Sequence, residues 1–365
     1  MKITFNKSEF EKHLESISKA IQSNSAFPSL QGIRFYATES NVQLIASNGN
    51  LSIKEIIEPG EGIKVIEPGK VLIPGILFKN VIKKQGEIIT LTSTSNSVNI
   101  ESQGAKTTLQ LLNINDYPTI SFDSIGKDLI VDGEALNKLI KNVSFAAADN
   151  DKRIILNGVN LKSEGGFLTA TATNSFRLAQ EEIEIDSNAE FDITILSKNL
   201  KDFIPKGVTG ALTISVNESK IITKHNNSTT VSKLIDGMYP NVIGLIPQSF
   251  KSTLTIDSKK LLNLIGQATV VSDEGSKVIR LTINSDEMVI ESKKREIGDT
   301  LVKTNDYKWG SGQIIIALNA QFLSEAIAKF SGNVIIGFNG SYDPLIIRGE
   351  DDKKLTQLIL PHRSY

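Results

Sequence analysis

KITFNKSEFEKHLESISKAI, Lys2 to Ile21, decides how this chain is read, because its order of extended run, polar cap and amphipathic segment returns twice. It comes back as DLIVDGEALNKLIKNVSFA from Asp128 and as STLTIDSKKLLNLIGQATV from Ser252. In each copy a short apolar and β-branched run (Ile3-Thr4-Phe5, Leu129-Ile130-Val131, Leu254-Thr255-Ile256) meets an Asx residue, Asn6, Asp132 or Asp257. An Asx side chain accepts from the free amides of a first helical turn, so a helix of about four turns is predicted after each. The caps Asn6, Asp132 and Asp257 stand 126 and then 125 positions apart. That spacing is too long for a solenoid and suits one domain per repeat, which predicts three similar α+β domains.

The intervening chain repeats in the same order. GIRFYATES and NVQLIASN alternate as antiparallel strands, LSIKEIIEPG extends the meander, and ILFKNVIKK, Ile76 to Lys84, has helical spacing with Leu77, Phe78, Val81 and Ile82 on its apolar side. EIITLTS, SVNIES and KTTLQLLN then lead to Asp116-Tyr117-Pro118. GVNLKSEGGFLTATATNSFRLAQEEI from Gly158 aligns with GIRFYATESNVQLIASNGNLSIKEII from Gly32, SKNLKDFI from Ser197 takes the place of the second helix, and Met238-Tyr239-Pro240 matches the earlier Tyr-Pro. Proline withholds its amide and ends a strand, so Tyr-Pro marks a boundary. The third copy has NAQFLSEAIAKF as its second helix. The expected organisation is strand, helix and three strands, twice per domain, with domains at 1–122, 127–247 and 251–365 joined by short linkers.

Composition sets the class. At 365 residues the chain exceeds one hydrophobic core, and 40% hydrophobic with 22% charged residues is ordinary for a globular protein. No apolar run is long enough to span a membrane and MKITFNKSEF carries no apolar leader, which predicts a cytoplasmic protein with no membrane partner. The absence of cysteine removes disulfides, thiolate catalysis and cysteine-bound zinc. The net charge is −1, so any attraction for nucleic acid must come from local segregation of charge.

The helices supply that segregation. With Phe10, Leu14, Ile17 and Ile21 as the buried stripe of the first helix, Lys12 and Lys19 fall on its exposed face. The same reading exposes Lys79, Lys83 and Lys84, then Lys138 and Lys141, Lys198 and Lys201, and Lys259 and Lys260. Acidic residues gather instead at strand ends and loops, as at Glu55, Glu58, Glu61 and Glu67. For one helix this is simply a solvated face. Repeated over three domains with their helices on one side of a sheet, it becomes a basic surface that holds phosphates without reading bases.

Catalytic chemistry is missing. There is no phosphate-cradling Gly-rich loop with its Lys-Ser/Thr, no His-Glu-x-x-His and no Gly-x-Ser-x-Gly, and His13, His225 and His362 fall in different repeats. Carboxylate pairs such as Asp149 and Asp151 have no neighbouring His or Cys to suggest a metal site. No catalytic residue, metal or cofactor is expected.

The chain resembles, from end to end, the bacterial DNA polymerase III beta subunit, the replication sliding clamp. The resemblance lies in the MKITF strand and its helix, Phe27-Pro28-Ser29-Leu30, Leu156-Asn157-Gly158, Ala172-Thr173-Asn174-Ser175-Phe176-Arg177-Leu178-Ala179, Tyr239-Pro240 and Leu358-Ile359-Leu360-Pro361-His362-Arg363. Each motif is weak singly; their order over three repeats is specific. The resemblance implies a non-catalytic processivity factor, a head-to-tail homodimer closing into a ring around double-stranded DNA, with helices inside and sheets outside. It adds Asn150 and Arg153 to the DNA-facing residues. It also implies a groove in which the polymerase III alpha subunit, the clamp loader and other clamp-binding-motif proteins insert a short apolar segment. Its walls would be Leu156, Thr173, Ser175, Phe176, Arg177, Leu178, Pro240, Leu245, Leu358, Ile359, Leu360 and Pro361, with Asn319, Phe322, Tyr342, Pro344, His362 and Arg363 towards an adjoining channel. Without the family, Leu156, Leu178 and Leu360 read as ordinary core. Thr107, Leu109 and Leu111 on one strand, with Val270 and Val271, are the interface residues the resemblance implies. The chain departs from the family pattern at Gly244 and Asn24, where basic residues are common, and at Phe176, where a His is common. The rival readings are a monomeric three-domain scaffold and an enzyme of unfamiliar type; a solution mass near twice 39.8 kDa favours the dimer.

Overall fold

The three Asx residues do cap the three helices. In the computed structural model, which describes residues 1–22, 26–60, 62–124, 126–204, 208–271, 278–294 and 297–362, the Asn6 side chain accepts from the Ser8 amide at 2.9 Å and opens helix α1, Lys7–Ser18. Helix α2 is Gly75–Lys84. Asp132 accepts from the Ala135 amide at 2.8 Å and opens α3, Gly133–Val143. Helix α4 is Ser197–Phe203. Asp257 accepts from Lys260 at 2.9 Å and opens α5, Ser258–Ala268, while Asn319 accepts from Gln321 at 2.9 Å and Phe322 at 3.2 Å and opens α6, Ala320–Ile327. The capped helices of the three repeats have 12, 11 and 11 residues, about one turn shorter than expected. Asn24, Glu61 and Arg363 lie outside the described residues.

The chain divides into two compact units: Met1–Leu136 with Lys198–Leu234, and Asn137–Ser197 with Ile235–Tyr365. The first unit holds a five-stranded and an eight-stranded sheet, the second a nine-stranded and a four-stranded sheet. The middle repeat is thus shared, because its strands hydrogen-bond to those of its neighbours. Leu51–Ile57 pairs antiparallel with Ser228–Lys233, placing Ser52 opposite Val231. In the second unit Arg177–Glu184 pairs antiparallel with Thr356–Ile359, placing Leu178 opposite Leu358.

Alternation along the strands builds the cores. In the first unit Phe5 stacks on Phe10 with ring centroids 4.1 Å apart, and Phe78 meets Phe35 edge-on at 5.3 Å, so α1 and α2 are fixed on the sheet through one aromatic cluster. Each such fully buried ring contributes roughly 2–3 kcal/mol by removal from water. In the second unit α5 and α6 cover a core that includes Leu261, Ile265, Leu323, Ile327 and Ile359. Gly32 and Gly158 begin equivalent strands for the same steric reason. A Cβ at Gly32 would lie 2.6 Å from Leu72 Cδ1, and one at Gly158 would lie 2.4 Å from Thr194 Cγ2.

Three expectations about faces change. Ile21 lies beyond the end of α1 and outside its buried stripe of Phe10, Leu14 and Ile17. Leu77 is 56% exposed, because α2 buries only the narrow face of Gly75, Phe78 and Ile82. Lys19 is not on an open face: its side chain is 13% exposed and its Nζ lies 4.0 Å from Asp202 Oδ1.

Candidate partner groove and nucleic-acid face

The residues expected to line a groove belong to the second unit, which carries the strand pair Arg177–Glu184 and Thr356–Ile359. The turn Thr173 to Arg177 is tied by its own side chains. Thr173 Oγ1 donates to the Arg177 carbonyl at 2.6 Å and accepts from the Ser175 amide at 3.1 Å, while Asn174 Oδ1 accepts from the amides of Phe176 and Arg177, both at 3.1 Å. Ser175 takes a left-handed backbone conformation with φ 73°, which turns the chain and leaves Phe176 62% exposed. Arg153, paired with Asp151, donates from Nη2 to Ser175 Oγ at 2.9 Å, and the Leu360 amide donates to the Phe176 carbonyl at 2.9 Å. The amide of Thr173 also donates to the Tyr239 hydroxyl at 3.0 Å, and burial raises the pKa of that phenol.

Beneath this turn Leu178, Leu358, Val242, Ile246 and Ile346 form one buried apolar cluster, with Phe250 against it. Phe176, Leu245 and Leu360 remain 62%, 60% and 38% exposed around it, and Met238 and Tyr342 are more exposed still. Exposed large apolar side chains over a buried apolar floor can take apolar anchors from another chain. Pro240 is exposed and Pro344 and Pro361 are half-buried, whereas Leu156 is buried. Val242, Ile246, Ile346 and Phe250 escape a sequence reading confined to matched motifs; the apolar spacing after Pro240 was the available signal.

Other groove residues have different work. Ile359 lies one position from Leu358 and Leu360 and so points to the opposite face of the sheet, into the core with Ile347 and Leu345. Asn319 caps α6. Phe322 packs on the same core and on Arg177. The Arg177 guanidinium is nearly buried: it donates to Glu325 on α6 and to the Phe145 carbonyl, and it lies 4.4 Å and 5.0 Å from the ring centroids of Phe322 and Phe145. The His362 amide donates to the Ala317 carbonyl at 2.8 Å, anchoring the chain just beyond Leu360 and the strand Thr356–Ile359.

The helix lysines separate into two sets. Lys83, Lys84, Lys141, Lys198, Lys201 and Lys259 are exposed, as is Asn150, and Lys79 is half-buried. Lys12 pairs with Glu9 at 3.1 Å, Lys138 with Asp352 at 3.7 Å, and Lys260 with Asp306. Ion pairs this exposed are worth at most about 1 kcal/mol and can give way to a phosphate.

Of the residues expected at an interface, Thr107 and Leu109 lie on an edge strand. Ala105–Gln110 is the last strand of the five-stranded sheet, with Thr107 and Leu109 half-buried on one side, and Leu111 follows it. Val270 is 78% exposed just beyond α5, next to half-buried Val271. A second edge strand, Gly298–Thr304, ends the four-stranded sheet and carries Leu301, 50% exposed. Its alternation was visible in the sequence, but nothing there marked it as an edge. Among the described residues no group of three or more His, Cys, Asp or Glu side chains could hold a metal ion, and no helix is long and apolar enough to cross a membrane.

Comparison with known proteins agrees with this arrangement. Models of the N-terminal, central and C-terminal domains of the DNA polymerase III beta subunit match residues 1–121, 130–241 and 244–363. The beta sliding clamp of Mycoplasmopsis pulmonis is 30% identical over 373 residues and that of Bacillus subtilis 28% identical over 378, each covering 100% of both chains. The crystal structure of the Bacillus subtilis DNA polymerase sliding clamp superposes with a TM-score of 0.94 at 27% identity, covering 100% of both chains. The repeated capped module and these full-length matches together place the chain in the DNA polymerase III beta subunit family, the bacterial beta sliding clamps.

Proposed function

We propose that this chain is a non-catalytic processivity clamp for DNA polymerase III, acting in the cytoplasm, with two copies closing head to tail around duplex DNA. The observation that carries the reading is the threefold module, matched over its whole length by clamp domains. In this reading 1–122, 127–247 and 251–365 are the three clamp domains. Exposed lysines on their helices, with Asn150 and Arg153, face the DNA. A ring holds DNA by topology, so its contacts can be weak, and flexible ammonium groups passing between equivalent phosphates let it slide. Closure would pair the edge strand Ala105–Gln110 of one copy with Gly298–Thr304 of the other, burying Leu109, Leu301 and Val270.

The patch around Leu178, Leu358, Leu360, Leu245 and Phe176 is the proposed docking site for a short apolar segment of the polymerase alpha subunit, the clamp loader and other clamp-binding proteins. A few apolar anchors, offset by the ordering of the peptide, should bind at around micromolar strength, roughly 8 kcal/mol. The test is retention on nicked circular against linear DNA after a salt challenge. Topological holding keeps the protein on the circle and loses it from the linear duplex; equal salt-driven loss from both refutes the proposal.

A further inference from the structure

The first unit contains a cavity of about 740 Å³ whose walls include Leu30, Pro118, Ile120 and Val231, with Lys220 and Lys233 also lining it. Several of its lining residues occupy positions equivalent to the proposed groove in the second unit. The same 126-position displacement that relates Gly32 to Gly158 carries Leu30 onto Leu156, Ser47 onto Thr173 and Ser52 onto Leu178. The strand register carries Val231 onto Leu358, because Ser52 faces Val231 as Leu178 faces Leu358. Pro118 follows buried Tyr117 as Pro240 follows Tyr239. Leu30, Tyr117, Ile222 and Val231 form a buried cluster here, with Ile120 packed against it, in the way that Leu178, Val242, Ile346 and Leu358 do there.

The two sites differ in charge. Two positions beyond Val231 stands Lys233, where two positions beyond Leu358 stands Leu360. Ile222 faces Val231 as Ile346 faces Leu358, so Lys220 takes the place of Pro344. Two apolar positions have therefore become cations. The Lys220 ammonium donates to the carbonyl and the hydroxyl of Ser121, each at 3.1 Å, which fixes its charge at the wall and leaves one of its three donors unused. Lys233 is exposed and makes no ion pair among the described residues. Among the described residues Asp116 is the sole acidic one in the lining. The buried hydroxyls of Ser47 and Ser52, 2.8 Å apart, add polar atoms to the lining.

We propose that this cavity is a second peptide-docking site, built for an extended segment whose apolar anchor is followed by a carboxylate. Its volume falls within the roughly 300–1,000 Å³ of small-ligand sites, and apolar walls with a few convergent polar groups are what such sites need. The apolar walls accept the anchor, and Lys233 and Lys220 face the acid. The peptide class rests on the groove reading proposed around Leu178 and Leu358, so the two sites must be separated by experiment.

The probe is acetyl-alanyl-leucyl-phenylalanine as the free acid and as the amide, titrated into methyl-labelled full-length protein and followed by NMR. The free acid should shift the methyls of Leu30, Ile120, Ile222 and Val231. The amide should bind about fivefold more weakly, since one exposed ion pair is lost. Lys233→Glu should weaken the acid by about tenfold while leaving shifts at Leu358 intact. Ser121→Trp, at an exposed lining position, should block the cavity. Leu360→Asp should remove the shifts at Leu358 and keep those at Val231; their retention at Leu358 would count against the groove reading alone. The proposal is overturned if the cavity methyls do not shift at millimolar peptide, if acid and amide bind equally, or if Leu360→Asp abolishes both sets. A changed solution mass in Ser121→Trp without any peptide shift would assign the cavity to a second copy of the chain and overturn it as well.

Discussion

Replacing Arg177 by Ala should loosen the second unit at the joint between the strand Arg177–Glu184 and helix α6. The bond to Glu325 contributes about 1.5 kcal/mol, the low end for a charge-assisted pair because the glutamate remains partly exposed, and the bond to the Phe145 carbonyl contributes about as much. The two ring contacts add about 0.5 kcal/mol each. Against these stands Arg177 Nε, buried without an acceptor among the described residues, whose removal returns about 1 kcal/mol. The net loss is about 3 kcal/mol, which corresponds to faster amide exchange by about a hundredfold wherever opening of this joint limits exchange. The assay is native-state hydrogen exchange, read at Leu178 and at Leu360, whose amide donates to the Phe176 carbonyl. Arg177→Lys keeps the charge but loses the planar fork and should fall between wild type and the alanine variant. Exchange in Arg177→Ala within about threefold of wild type would refute the reasoning, as would a lysine variant indistinguishable from wild type.

Other outcomes follow from the same geometry. Leu360→Asp should weaken clamp-binding peptides at least tenfold, by about 1.4 kcal/mol or more, with an unchanged circular dichroism spectrum, because Leu360 is already 38% exposed. Leu109→Asp combined with Leu301→Asp should halve the solution mass in sedimentation if the two edge strands pair, since like charges would then meet across the closure. Glu181 is 4% exposed, and burial raises its carboxyl pKa, only partly countered by the Asn142 hydrogen bond and Lys138. Its charge therefore costs stability, a cost absent below the ordinary carboxylate range and fully present above the raised value. Glu181→Gln should accordingly melt higher than wild type at pH 7.5, with the advantage vanishing near about pH 4.

The repeat was legible because its signals are local. An Asx residue before an apolar periodicity specifies a cap whatever surrounds it, and each of the three predicted caps accepts from its first-turn amides. Contacts between repeats were not legible. Glu325 lies 148 positions from Arg177, and no spacing rule joins them. Lys19 looked like a surface lysine because helical periodicity locates the face opposite the apolar stripe but not what packs against that face, here Asp202. Leu77 failed in the other direction: a ten-residue helix that buries only Gly75, Phe78 and Ile82 has no room for a broad apolar side. The motif residues Phe176 and Leu360 are exposed around the apolar cluster that holds Leu178 and Leu358. Val242 and Ile246 lay outside the matched motifs, since a floor is completed by whichever apolar residues the neighbouring chain brings, and Ile359 was assigned to the groove although alternation sends it to the core.

The same distinction explains how a chain of net charge −1 can hold DNA. Charge on a helix matters at short range, because screening at physiological salt acts within about 8 Å. The acidic loops therefore do not cancel a lysine face unless they touch it. At Lys19 the contact comes from another helix: its side chain is 13% exposed and its Nζ lies 4.0 Å from Asp202 of α4, which leaves it less available to phosphate. Acidic loops touch it loosely at Lys138 and Lys260, and Lys12 pairs with Glu9 on its own helix; these exposed partners can be exchanged for phosphate at little cost. Lys83, Lys84, Lys141, Lys198, Lys201 and Lys259 are exposed and make no ion pair among the described residues, so on the proposed DNA-facing surface they would contribute their full counterion release. DNA affinity should then follow those six side chains and their salt dependence, while the net charge of the molecule bears on its solubility.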